Sequence, residues 1–397
     1  GSGFLIDVAH LTRSDAKDGF RYVITNFHVV DGCVAPFQVF VYFSDMGRDV
    51  ILGNVVRVLP QLDLAIIAVA QDLVPQGKIS LPIANMFTSK FSRAYALGYP
   101  LGSNNVQISE GTVSGWNSEH IQLNIAINDG NSGGPIIVEN EVGEMEVAAV
   151  SVASYGQTIE SIAFGIPMVF LNMYQTCISR STSGIIALFA VTNCLTRGKY
   201  ILNEHSSDIL MIMGFRKGDE LLQLNGQNLN TYGEINVPWR EKTHWSDSNL
   251  QYGLVSNGGY AIVTRGTKQL KFTWPPLPSI KPPAVRLKYP TYEHIGSFKF
   301  LGITLIDLSL NVIQEACETP GGEHLSKYFI CKILCHTPTV VVSYIEPTFQ
   351  AHNHLPIRQF DIISHINGHS IQAISDITDH TVTTLTIEGG IQLKCTP

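Results

Sequence analysis

The sequence contains no uninterrupted apolar run of about 18 residues, the length a helix needs to cross a bilayer, so no helical membrane span is expected. It also lacks a basic patch. Its 26 Lys and Arg are outnumbered by 33 Asp and Glu, for a formal net charge of −7, and binding to a phosphate backbone would need the opposite balance. Nucleic acid is therefore not an expected partner. No disulfide framework is visible, because Cys33, Cys177, Cys194, Cys317, Cys331, Cys335 and Cys395 are odd in number and scattered. No Asn-X-Ser/Thr glycosylation acceptor occurs either. These two absences together point to a reducing, intracellular compartment. The sequence opens at Gly1 rather than Met, so a targeting peptide is either removed or outside this sequence, and the organelle is left open.

What is present describes a globular protein. Hydrophobic residues make up 45% of the 397 and charged residues 15%, and the length suits two or three domains, each able to bury its own core. Residues 1–178 carry short apolar or alternating runs at Tyr22–Thr25, Gln38–Phe43, Leu64–Val69, Ala94–Gly98, Ile121–Ile127, Pro135–Val138 and Val147–Val152. Gly, Asn, Asp and Pro punctuate them, which predicts a mainly β barrel or sandwich. Val169, Phe170, Met173, Tyr174 and Cys177 recur at intervals of three and four, which predicts a short amphipathic helix over Pro167–Ile178, followed by a linker at Ser179–Gly184. Two later segments repeat one another without a gap, Arg216–Gly226 (RKGDELLQLNG) and Arg358–Gly368 (RQFDIISHING). Each reads as a strand ending in Asn-Gly, a pair suited to the positive φ angles of a tight turn. Five prolines within Trp274–Val285 predict a stiff linker between the duplicated modules, which places a second domain at 184–274 and a third at 286–397.

Three motifs carry chemistry. Tyr22–Val30 (YVITNFHVV) is a strand running into His28, Leu62–Ala65 (LDLA) sets Asp63 at the head of an apolar strand, and Asn128–Pro135 (NDGNSGGP) holds Ser132 in a glycine-rich turn. Each is commonplace alone, as a half-buried histidine, a cap or a loop. In this order, with β segments around all three, they form the set that nucleophilic acyl transfer requires. A serine hydroxyl is a weak nucleophile at neutral pH, so it needs a base (His28), and the base needs a buried carboxylate to fix its tautomer (Asp63). The tetrahedral oxygen needs N–H groups aimed at it, assigned here to Gly130 and Ser132. Gly133 and Gly134 would let the backbone pass closely under the nucleophile.

Together with the opening Gly1-Ser2-Gly3-Phe4, the segments Leu97–Gly102 (LGYPLG), Glu110–Gly115 (EGTVSG) and Phe164–Pro167 (FGIP), these motifs resemble the HtrA/Deg family of trypsin-fold proteases. The sequence departs from that family's pattern at Phe27, Asn124 and Asp129. The resemblance implies a trypsin-like double β-barrel protease domain of two six-stranded barrels, here expected to lack its first strand, followed by two PDZ-like α+β domains. It implies ATP-independent endopeptidase action on unfolded or damaged polypeptides, and assembly from trimers. It puts the substrate pocket at Ser151, Val152, Ala153, Ser154, Ile162 and Phe164, small or apolar positions that suggest cleavage after aliphatic residues. Phe298–Ser309 resembles the entry to a Deg PDZ domain, with Phe300, Leu301, Gly302 and Ile303 as its carboxylate-binding loop and Gly184–Ile186 as the counterpart in the middle domain. Peptide C-termini or strands would bind there by strand addition.

Cys331, Cys335, His336, Cys317 and His324 follow no common zinc spacing, and the cysteines read as reduced side chains packed in a β domain, so no metal or cofactor is expected. His352 and His354 read as solvated, and Trp239, His244 and Trp245 as loop filling. The alternative to an endopeptidase is a peptide-binding chaperone or scaffold whose protease domain is inert or conditionally active.

Overall fold

A computed structural model describes residues 1–7, 17–31, 38–44, 49–85, 88–116, 120–140, 142–152, 162–171, 193–196, 199–202, 214–237, 240–245, 258–275, 284–289, 294–330, 334, 336–347, 357–378, 382–390 and 392–394. The chain divides into two compact units, Gly1–Ile280 and Lys281–Pro397.

The first unit opens with a five-stranded antiparallel sheet in the order β1-β2-β5-β4-β3. Its strands are β1 (Phe4–Ile6), β2 (Phe20–Thr25), β3 (Gln38–Val41), β4 (Ile51–Leu59) and β5 (Leu64–Ala70), with the short helix α1 (Phe27–Val30) directly after β2. β5 reads LAIIAVA without alternation because it lies mid-sheet and six of its seven residues are buried. Among the described residues the sheet is open at β1 and β3, so the first of the two expected six-stranded barrels shows five strands. The second is closed, with β10-β11-β8-β7-β6-β9 joined in a ring. It consists of β6 (Arg93–Gly98), β7 (Gln107–Trp116), β8 (Ile121–Leu123), β9 (Pro135–Glu139), β10 (Met145–Val152) and β11 (Ala163–Pro167). Register shifts at Val113/Gly115 and Val147/Ala149 bend β7 and β10 as ring closure demands.

One core joins the sheet to the barrel: Phe4, Tyr22, Ile24, Leu64 and Ile66 pack with Val147, Val150, Ile166, Met168 and Phe170. Each fully buried side chain of this kind contributes about 1.5–3 kcal/mol. A second core of Ala94, Val113, Leu123, Ile125, Ile136 and Ala149 fills the barrel. The helix expected over Pro167–Ile178 begins at 169–171, and its remainder, the linker at Ser179–Gly184 and the loop Gly184–Ile186 lie outside the described residues.

The rest of the unit is a six-stranded sheet in the order β12-β13-β14-β18-β19, with β15 on β14, and a two-stranded sheet β16-β17. These strands are β12 (Asn193–Thr196), β13 (Lys199–Leu202), β14 (Glu220–Leu224), β15 (Gln227–Asn228), β16 (Glu234–Val237), β17 (Arg240–His244), β18 (Gly259–Arg265) and β19 (Lys268–Trp274). Where an α+β domain was expected, the described residues of 193–275 contain strands, turns and irregular segments and no helix. Trp245, read as loop filling, is 3% exposed in the core of this sheet with Phe215, Leu221 and Trp274.

The second unit is α+β, a seven-stranded sheet in the order β20-β21-β22-β23-β25-β26 with β24 on β23. Its elements are β20 (Ser297–Phe300), β21 (Ile303–Asp307), α2 (Leu310–Glu318), α3 (Lys327–Ile330), β22 (Val340–Ile345), β23 (Ile362–Ile366), β24 (His369–Ser370), β25 (Thr384–Ile387) and β26 (Gln392–Lys394). Ser309 caps α2, its hydroxyl accepting from Val312 N, and Val312, Ile313 and Ala316 face Leu325, Tyr328 and Val341.

Candidate active site

The final register pair of β2 and β5, Thr25↔Ala65, brings the residues after β2 against those before β5. Asp63 closes a short 3-10 turn over Pro60–Leu62 at φ 50°, and its amide donates to Pro60 O at 3.0 Å. Its carbonyl accepts from Phe27 N and from Asn26 Nδ2, both at 3.0 Å. Its carboxylate takes two bonds from one residue: His28 N donates to Oδ1 at 2.9 Å, and His28 Nδ1 lies 2.7 Å from Oδ2. Five bonds thus hold Asp63, and the last of them orients the imidazole. The sequence called for a buried carboxylate, whereas the side chains of Asp63 and His28 are 30% and 46% exposed, because the pair lies at the rim of the sheet.

Ser132 lies in the loop from β8 to β9 and is 6% exposed. Asn131 N donates to Asn128 O at 3.0 Å, Gly133 N to Ser151 O at 2.9 Å and Gly134 N to Asn131 O at 2.9 Å. The N–H groups of Gly130 and Ser132 have no acceptor among the described residues, and they are the two assigned to the oxyanion. Gly130 has φ 101°, which an L side chain resists. Gly133 has φ 90°, and a Cβ there would strike Ser2 O and Thr25 Oγ1 and come within 3.1 Å of Asn26 N. The residue after Ser132 is thereby seated against the segment that leads into His28. Among the described residues no hydrogen bond joins Ser132 Oγ to His28 Nε2. Such bonds are often loose without substrate and tighten in the complex.

Ser151 and Val152 on β10 pair with Gly165 and Phe164 on β11, and Ser151 bonds through both its N–H and its C=O to Gly134 and Gly133. That places this wall of the expected pocket beside the Ser132 loop. Ile162 and Phe164 are half-buried, and Phe164 packs edge-on to His120. Ala153 and Ser154 lie outside the described residues. In the second unit, Leu301 (φ 42°) and Gly302 (φ 76°) form a two-residue turn closing the β20–β21 hairpin, with Phe300 paired to Ile303. β21 is bonded to β20 on one side and β22 on the other, so a peptide strand can reach it only if β20 gives way.

Cys317, expected to be packed in a β domain, is instead exposed with a free thiol on the outer face of α2, and the ring nitrogens of His324 lie 3.1 Å from Gly321 O and Phe360 O. Cys331, Cys335, His352, His354 and Trp239 lie outside the described residues, among which no group of His, Cys, Asp and Glu could hold a metal. No helix among the described residues is long and apolar enough to cross a membrane. Sequence reasoning did not assign a role to Ser2, Thr25 or Leu101, whose bonds frame the Ser132 loop. The signals for them lie in the motifs that contain them, the Gly1-Ser2-Gly3 opening, Tyr22–Val30 and Leu97–Gly102.

Residues 1–145 match the family model of the trypsin-like peptidase domain. The chain is 27% identical over 261 residues to a DegP-like periplasmic serine endoprotease of Marinomonas sp. (strain MWYL1), covering 59% of this chain and 50% of that protein. It is 27% identical over 234 residues to the serine endoprotease DegS of Haemophilus influenzae, covering 53% of this chain and 63% of that protein. The chain thus spans less than two thirds of either relative. Among solved structures it is similar to the HtrA-type protease AlgW with a tripeptide, at 18% identity and TM-score 0.48 over 67% of this chain and 86% of that one, a level that adds nothing to the assignment. With residues 1–145 matching a trypsin-like peptidase domain and DegP-like and DegS serine endoproteases matching somewhat more than half of it, the chain is similar to the HtrA/Deg serine proteases.

Proposed function

We propose that the protein is a serine endopeptidase acting on unfolded polypeptide, with His28, Asp63 and Ser132 as its catalytic residues. The observation that carries this reading is the 2.7 Å contact between His28 Nδ1 and Asp63 Oδ2. A carboxylate there accepts a hydrogen bond from Nδ1–H and leaves Nε2 as the acceptor, free to take the proton of Ser132 as Oγ attacks the peptide carbonyl. The N–H groups of Gly130 and Ser132 then receive the charge on the tetrahedral oxygen. His28 returns its proton to the leaving amine, and water repeats the sequence on the acyl-enzyme.

Casein unfolded in mild denaturant and then diluted is a suitable substrate. Wild type should turn it over, while Ser132→Ala should fall by a factor on the order of 10⁴ or more. Equal rates for the two would return the protein to the alternative reading, a scaffold or chaperone with an inert protease domain. Ser151, Val152, Ile162 and Phe164 offer no charge to a substrate side chain, so in a peptide library cleavage should follow Val, Leu or Ala. Faster cleavage after Lys or Arg would reject that pocket.

The second unit is proposed as the PDZ-like module that captures polypeptide. The turn Phe300–Ile303 would receive a terminal carboxylate, and an added strand would bind on the outer edge of β20 or in its place. Assembly into trimers is part of the same family reading, and mass photometry of the purified chain tests it.

A further inference from the structure

The opening tripeptide is the hub of the nucleophile loop. Ser2 is 6% exposed, and every polar atom it owns is engaged. Its amide donates to Ser132 O at 2.7 Å and its carbonyl accepts from Thr25 Oγ1 at 2.6 Å. Its hydroxyl donates to Gly130 O at 2.6 Å and accepts from Tyr99 N at 2.9 Å. Gly1 packs against Val29 of α1, one residue beyond His28. One residue therefore touches the strand leading to the base, the loop bearing the nucleophile, and the segment that follows β6.

That last contact matters for the oxyanion site. A trans peptide points its C=O and N–H in opposite directions, so the direction of the Gly130 N–H is set by whatever holds Asp129 O. Leu101 N holds it, at 2.7 Å. Leu101 is a 79% exposed apolar residue at φ 53°, an unfavourable backbone region for leucine, with little packing of its own to keep it there. Ser2 Oγ ties Tyr99, two residues before Leu101, to Gly130, one residue after Asp129. Because Gly130 has φ 101° and no side chain, rotation of the Asp129–Gly130 peptide meets little steric resistance from the residue itself. The bonds of Leu101 and Ser2 are what oppose it.

We propose that Ser2 is a positioning residue for catalysis, its hydroxyl pinning the Gly130 carbonyl on one side and the Tyr99 amide on the other, so that Leu101 N stays on Asp129 O and the Gly130 N–H keeps facing the tetrahedral oxygen. This rests on the reading of Gly130 and Ser132 as the oxyanion site. Ser2→Ala keeps the backbone bonds to Ser132 and Thr25 and removes only the hydroxyl bridge between Tyr99 and Gly130. Ground-state binding uses the substrate pocket, whereas the oxyanion contact forms at the transition state, so the loss should fall on kcat and spare KM.

The test compares wild type, Ser2→Ala and Thr25→Val on a fluorogenic peptide and with a peptide boronate whose serine adduct carries the tetrahedral oxygen. Thr25→Val closely preserves shape and withdraws the donor to Ser2 O, so it reports on the same seat if Ser2→Ala does not fold. Expected is a fall in kcat of about 10- to 100-fold for Ser2→Ala, below the roughly 10²–10³ for deleting an oxyanion donor outright. Boronate affinity should weaken in step, KM should stay within about threefold, and Thr25→Val should show a smaller change of the same kind. Unchanged kcat and boronate affinity in a folded Ser2→Ala, or in Thr25→Val where Ser2→Ala fails to fold, overturns the inference. So does a rise in KM that accounts for the whole effect. Fluorophosphonate labelling separates the two levels: wild type that labels at Ser132 while Ser2→Ala matches it in rate sinks only the role of Ser2, whereas wild type that neither labels nor cleaves sinks the endopeptidase reading beneath it.

Discussion

Asp63 occupies a backbone conformation that few side chains tolerate, and the residue types able to hold it there are few. At φ 50° it is left-handed, a region in which Asp and Asn are several-fold enriched and alanine is disfavoured by about 1–2 kcal/mol. Two substitutions therefore separate its roles. Asp63→Asn keeps the turn and an oxygen for His28 N, but its amide can present a donor to Nδ1, which drives the imidazole proton to Nε2, where it blocks proton uptake from Ser132. Activity should fall by about 10⁴ in kcat with little change in melting temperature. Asp63→Ala should lose activity comparably and also melt lower, since it forfeits the bond to His28 N and strains the turn. A thermal melt beside a peptide assay checks both, and an Asp63→Asn protein of near-normal kcat would remove Asp63 from the mechanism.

The duplicated element shows how far local sequence fixes local structure. In both copies the strand begins after an Asp whose carboxylate accepts from the amide three residues back, Arg216 N to Asp219 Oδ2 at 2.8 Å and Arg358 N to Asp361 Oδ2 at 2.7 Å. In both, Asn-Gly follows with positive φ, 44° and 85° at Asn225 and Gly226, 51° and 79° at Asn367 and Gly368. The Asn side chain then accepts from a neighbouring strand, from Tyr260 N in one copy and Thr384 N in the other. What differs is the partner of the Asp. Asp219 is fully buried and held at 2.7 Å by both Nε and Nη2 of Arg265, whose Nη2 also donates to Gly214 O; this bidentate bond is the main reason the Arg265 pKa lies above its usual value. Asp219→Ala leaves a partly solvated guanidinium without its carboxylate and should cost about 1.5–3 kcal/mol, the range for hydrogen bonds to charged groups. Asp361→Ala loses a turn bond and should cost about 1 kcal/mol. Denaturant titrations of the two variants test the ratio, and equal costs would mean that the Arg265 pair adds nothing.

The same local logic made β2, β5, β6, β9 and β10 legible, because their apolar or alternating runs are buried in the pattern they advertise. β4 and β7 were not legible: Asn54, Ser109, Glu110 and Ser114 interrupt them, and much of each strand is only half-buried. The run expected to be a strand through Ile127 leaves the sheet after Leu123, where Asn124 Oδ1 turns to accept from Thr112 N at 2.6 Å. Ile125 and Ile127 stay buried in the barrel without being strand. His28, Asp63 and Ser132 could be read from their motifs, but the bonds of Ser2 span 97 and 128 positions, and nothing in a hydroxyl reveals partners at that distance.

At the scale of the molecule, acid should act on the two units through different groups. His244, in the first unit, has its pKa held below the usual 6.5 because burial disfavours the imidazolium, with Glu234 opposing more weakly. Asp376, in the second, has its pKa held below 3.8 because the amides of Gln372 and Ala373, each 2.9 Å from Oδ2, favour the carboxylate. Both folded values are depressed, so in both cases the unfolded chain binds the proton first, and stability falls as pH falls. For His244 the contribution is whole above about pH 6.5 and declines below it, and for Asp376 it is whole above about pH 3.8 and is lost as pH drops through the folded value. Acidification from neutrality should therefore weaken the sheet around His244 before it weakens the turn at Asp376. Hydrogen exchange read by mass spectrometry across pH 7 to 3 resolves the two segments in the intact chain. His244→Gln should flatten the upper limb and leave the lower one, and Asp376→Asn should do the reverse. An upper limb that persists in His244→Gln would assign it to another group and remove burial of this imidazole as its cause.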